Sequence, residues 1–88
     1  MNTPKLNKIQ YEKNYTYYIQ FENKLSREVD FKPFLWGKAF EELKEQSYFK
    51  KATIDDITGT ISWPNGVDIA PETLYEKISA QKENFHQA

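Results

Sequence analysis

The sequence predicts a small α+β domain. We expect one small antiparallel β-sheet of about five to six short strands with two short helices, in the order β-β-β-α-β-β-(β)-α. Two observations carry this. Apolar and aromatic residues alternate at period 2 over residues 15–31, the mark of strands with one buried face. Further on, Trp36, Ala39, Phe40 and Leu43 recur at helical spacing, and Pro71 with Glu72 marks a second helix start.

The elements follow in order. Residues 5–12 read as a weakly alternating strand, which suits a sheet edge. In residues 15–22, Tyr15, Tyr17, Ile19 and Phe21 share one face, and Thr16, Tyr18, Gln20 and Glu22 the other. Glu22-Asn23-Lys24 makes a tight turn, since Asn tolerates the left-handed conformation. Leu25, Arg27, Val29 and Phe31 line one face of the partner strand, with the Arg stem lying on aromatic rings. Pro33 ends this meander. A helix near residues 37–46 would bury Trp36, Ala39, Phe40 and Leu43, with Tyr48 and Phe49 as core anchors after it.

Residues 50–55 and 60–63 read as two more strands around Asp56-Ile57-Thr58-Gly59. Trp63-Pro64-Asn65-Gly66 then has the form of a type I turn, with Pro presetting φ and Gly accepting φ > 0 after it. Val67-Asp68-Ile69 returns as a strand. The second helix follows, with Leu74, Tyr75 and Ile78 on its apolar side. We expect one domain over residues 1–78 and a frayed polar tail over residues 79–88.

Composition removes much chemistry. Eighty-eight residues leave room for a single domain with a thin core, which the 14 aromatic residues help to fill. Basic residues number 12 and acidic residues 13, a net charge of −1 that gives no long-range pull toward nucleic acid or membrane. Without cysteine there is no disulfide, thiolate or Cys-based zinc site. No apolar run approaches a bilayer span, and no secretory leader is visible.

The candidate sites are few. His86, the single His, stands in the expected tail, a poor place to hold a catalytic base against a Ser. Asp55-Asp56 reads as a turn that stops a strand. Asp68 and Glu72 flank a helix start, where negative charge is favoured without any function. Gly37, Gly59 and Gly66 are isolated, so no phosphate cradle is present. Tyr15, Tyr17, Tyr18 and Phe21 beside Lys13, Lys24 and Arg27 could stack on nucleic acid, but the chain has one Arg and no basic stripe.

Protein contact has the better case. We single out Trp63, Pro64, Asn65, Gly66, Asp68 and Tyr75 as the partner-binding region, because interface cores favour Trp and Tyr. Two readings of Trp63 stand side by side. An exposed ring would be a contact hot spot; a buried one would plug the core beside Ile61 and Phe40. Trp36 carries the same two readings. The strand at 5–12 could also pair with its copy to form a homodimer.

The second half of the chain carries an ordered series: Phe40-x-x-Leu43, Tyr48-Phe49, Ile54-Asp55, Ile61-Ser62-Trp63-Pro64-Asn65-Gly66, Asp68-Ile69-Ala70-Pro71-Glu72 and Leu74-Tyr75. It resembles the bacterial family called domain of unknown function 2442 over roughly residues 5–76. The family usually has an Asp-Gly or Asn-Gly turn in the first hairpin, where this chain has Glu22-Asn23-Lys24. The resemblance implies a cytoplasmic bacterial protein of α+β fold, and brings no reaction, cofactor or catalytic residue. It also implies paired regulatory or toxin–antitoxin-like systems, since relatives are thought to be encoded beside other small proteins; some carry an added helix-turn-helix segment. The expected function is therefore a non-enzymatic protein-interaction module without cofactor or metal. The alternative is a regulator that binds nucleic acid directly or through a partner.

Overall fold

A computed structural model describes residues 3–78. The expected tail at 79–88 lies outside the described residues. Six strands form two antiparallel three-stranded sheets. Sheet 1 has the order β1-β2-β3, from Leu6–Lys13, Thr16–Phe21 and Ser26–Asp30. Sheet 2 has the order β4-β5-β6, from Thr53–Ile54, Ile61–Ser62 and Asp68–Ile69. The α+β class and the strand number hold, but the strands divide between two sheets rather than extending one. The second-half strands are two residues long, so their hairpins make a patch too small to continue sheet 1.

Sheet 1 follows the alternation. Ile9 pairs with Ile19 and Tyr11 with Tyr17, while Tyr17 pairs with Val29 on the other side. The inner face buries Leu6, Tyr17, Ile19, Phe21 and Val29. Arg27 opposes Ile19 on that face yet is exposed, its guanidinium donating to the Ser26 carbonyl at 2.7 Å.

Between the sheets the chain departs from expectation. The helix expected at 37–46 is a 3-10 segment, Lys38–Lys44, followed by one α-turn, α1, at Gln46–Phe49. A 3-10 helix has three residues per turn, so Phe40 and Leu43 stay aligned while Ala39 falls on another ridge. Leu43 is fully buried and Phe40 half-buried; Ala39 and Trp36 are exposed. The apolar stripe is thus half of what the spacing suggested. A helix over 71–78 (α2) then buries Pro71, Leu74 and Ile78.

Phe49 joins the two sheets. Its ring lies 5.0 Å from Tyr17, 5.8 Å from Phe31 and 5.7 Å from Trp63, measured between centroids. Its carbonyl is among the last in α1, where the helix itself offers no donor. The Tyr17 hydroxyl donates to it at 2.7 Å and the Trp63 indole N–H at 2.9 Å. The Tyr17 oxygen in turn accepts the Ala52 N–H at 3.3 Å. Among the described residues, no buried side-chain polar atom lacks a partner.

The same turn occurs twice. In Phe21–Leu25 and again in Trp63–Val67, the aromatic N–H donates to the carbonyl four residues on, at 2.8 and 2.9 Å. The aromatic carbonyl accepts from the fourth turn residue at 2.9 Å in both. The central Asn23 or Asn65 side chain accepts the N–H two residues later, at 3.1 Å in each case. The left-handed position is Gly66 in one (φ 89°) and Lys24 in the other (φ 74°). The expected left-handed Asn in the first hairpin is therefore corrected: Asn23 supplies the side-chain bond, and Lys24 takes the strained backbone.

Three substitutions test these contacts and turns. Burial pushes the Tyr17 phenol up to about 12, above its ordinary value of 10. A group raised in this way contributes its full stability below pH 10 and loses it as the pH rises from 10 toward about 12. Tyr17→Phe should cost about 1–2 kcal/mol at neutral pH and flatten that alkaline loss, read by urea unfolding across the pH range. Lys24→Gly should gain about 0.5–1 kcal/mol, the relief of left-handed strain net of backbone entropy. Gly59→Ala should lose about 2 kcal/mol or more by the same assay. Its φ is +68°, and an added Cβ would stand 2.2 Å from the Lys5 Cβ.

Candidate functional site

The chain's two tryptophans have opposite fates. Trp63 is 3% exposed and belongs to the core. Trp36 is 75% exposed. Their difference comes from the local backbone. Trp63 opens a closed turn whose aromatic points inward to Phe31 and Phe49. Trp36 precedes Gly37, whose φ of 85° and ψ of 163° fall in a region open essentially to glycine alone. That kink starts the 3-10 segment and leaves the indole outside it.

Trp36 stands on a groove of about 430 Å³. Phe34 and Phe40 supply aromatic walls, Ile69 of β6 an aliphatic one, and Ala70 and Thr73 close the end where α2 begins. Lys38 and Asp68 are its charged lining residues. Phe34 is held in place by the Phe31 ring at 5.9 Å and by the Lys77 ammonium, 5.5 Å from its centroid. A concave, mainly apolar site with a few polar groups has the character of a binding surface.

The residues singled out from the sequence do not form one patch. Trp63 is removed from any contact surface by its burial and its bond to Phe49. Pro64, Asn65 and Gly66 are exposed at the turn, where the Asn65 amide donates to Glu42 at 2.8 Å and ties the turn to the 3-10 segment. Asp68 is exposed and lines the groove. Tyr75 faces the other hairpin: its ring meets Phe21 edge-on at 5.2 Å, and its hydroxyl accepts from the Asn23 amide at 3.4 Å. Phe34, Phe40 and Ile69 were missed as site residues. Their signal was Trp36-Gly37 after a proline, a backbone break that exposes what precedes it.

Of the acidic candidates, Asp55 has structural partners. Asp55 accepts N–H bonds from Ile57 at 2.8 Å and Thr58 at 3.1 Å. Those backbone donors, Thr58 first, hold its carboxyl below the ordinary value. Glu12 is raised chiefly by the hydrogen bond it shares with Glu28 across sheet 1. Among the described residues, no three His, Cys, Asp or Glu side chains gather in a way that could hold a metal ion. No described helix is long and apolar enough to cross a membrane.

A family described as "Protein of unknown function (DUF2442)" matches the chain over residues 6–80. The chain belongs to this family. The DUF2442 match takes in all six strands, the Phe49 junction and every residue lining the groove. No curated protein and no solved structure matches the chain.

The two tryptophans give a direct test of this arrangement. Trp36→Ala should leave unfolding stability within about 0.5 kcal/mol, as for an exposed residue. Trp63→Ala should cost about 3–5 kcal/mol through the cavity it leaves. Urea unfolding of both variants checks the contrast.

Proposed function

We propose that this DUF2442 chain is a non-enzymatic protein-interaction module and that its contact surface is the groove beside Trp36. The observation that carries this is the exposure of Trp36 over an apolar groove. A largely exposed indole at such a position gains most by being covered, and tryptophan leads the residues that dominate protein interfaces. Asp68 stays in the contact region. Pro64, Asn65 and Gly66 act from beside it by fixing the 3-10 segment, and Tyr75 serves the far hairpin.

The near-neutral charge supports a protein partner over nucleic acid, because nothing supplies the phosphate-neutralising term. The test is affinity capture of tagged wild type and Trp36→Ala from native lysate, with and without nuclease. A stoichiometric protein that survives nuclease and is lost from Trp36→Ala is the expected result. Recovery that vanishes with nuclease would replace this reading with the nucleic-acid one.

A further inference from the structure

We infer that the groove beside Trp36 is filled by the Trp36 of a second copy of this chain, in a two-fold symmetric exchange. This rests on the preceding assignment of the groove as a contact surface, and names its occupant.

Three features carry it. The first is position. Trp36 is both the most exposed aromatic of the described residues and a wall of the groove itself. A two-fold axis near the rim therefore brings each indole to the other copy's groove, as an isologous contact requires. The groove's volume of about 430 Å³ is ample for an indole, and Phe34, Phe40 and Ile69 offer it apolar surface.

The second feature is charge. The groove is lined by one cation, Lys38, and one anion, Asp68. Both are exposed. A surface carrying one charge of each sign can be its own complement: about a two-fold axis, Lys38 meets the partner's Asp68 and Asp68 meets the partner's Lys38. A net charge of −1 on the whole chain sets little long-range repulsion against such pairing.

The third feature is the backbone. Gly37 adopts a conformation that only glycine takes readily, and no atom lies within 4 Å of where its Cβ would be. Crowding therefore does not require glycine there; the dihedral angles alone do. Those angles set the indole outward at the groove's rim. A standard dimer covers about 800 Å² on each copy, a modest part of this chain's 6046 Å².

Sedimentation of the purified full chain tests the inference directly. Wild type is expected to dimerise, with its tryptophan emission shifting to the blue as the concentration rises. Trp36→Ala should weaken the dimer about 30-fold or more, as a hot-spot residue does. Lys38→Asp and Asp68→Lys should each weaken it alone, since each places like charges together at both contacts. Mixing those two variants should restore a dimer containing one of each, because every contact then joins opposite charges. That rescue also answers the objection that either variant merely misfolds.

A wild type that stays monomeric at every accessible concentration overturns the exchange. It leaves the groove to a different protein, which the lysate capture reads separately. A dimer indifferent to Trp36→Ala overturns it too, and places self-association elsewhere on the surface.

Discussion

One backbone carbonyl holds the two halves of this protein in register. Phe49 ends a four-residue helix, and its oxygen takes a phenol from sheet 1 and an indole from the turn that joins β5 to β6. Each bond has a net worth of about 1 kcal/mol, but leaving such a buried oxygen bare would cost about 1–3 kcal/mol. The requirement is also directional. Tyr17 and Trp63 can both reach the oxygen only if the sheets keep one spacing. The Phe49 ring then packs against the same two side chains, so hydrophobic burial and hydrogen bonding select one arrangement.

The peripheral features are arranged around that junction. The Asn65–Glu42 bond sets the Trp63 turn against the 3-10 segment, and that segment leads directly into α1 and Phe49. At the other side, Leu6 donates its N–H to the Gly59 carbonyl at 3.1 Å, and Lys5 reaches the Ile57 carbonyl at 2.8 Å. The start of β1 is therefore tied to the loop between β4 and β5. The opposite edge, β3, is short and carries Arg27, Glu28 and Asp30, the kind of charged edge that resists extension by another strand.

Most of the fold was legible because its signals are local. Period-2 alternation placed Tyr17, Ile19 and Phe21 on the buried face. The Pro-Asn-Gly sequence defined its turn down to the left-handed glycine. The failures share another origin. Phe40 and Leu43 are three apart, a spacing that fits α and 3-10 helices alike, so the sequence pattern could not decide whether Trp36 and Ala39 shared their face. Of the two readings of Trp63 the buried one holds, but its neighbours are Phe31 and Phe49 rather than Phe40, and Phe49 lies 14 positions away. For the groove, Asp68 and Trp36 were both visible as residues of interest, but nothing local told that β6 and the 3-10 segment would bring them together. Lys24 at a left-handed position gave no signal, because its strain is tolerated by a turn already fixed by Asn23.

The Phe49 junction also divides the chain by loop length. Sheet 1 closes through short turns, as does sheet 2, so the entropy of forming each is spent within a few tens of residues. The Tyr17–Phe49 bond spans 32 positions and the Lys5–Ile57 bond spans 52. Loop-closure entropy grows only logarithmically with length, by about 0.6 kcal/mol per doubling. Joining the sheets is therefore not much costlier in chain entropy than building them. The greater demand is geometric: two separately closed meanders must meet around a single residue whose carbonyl oxygen is already committed to both.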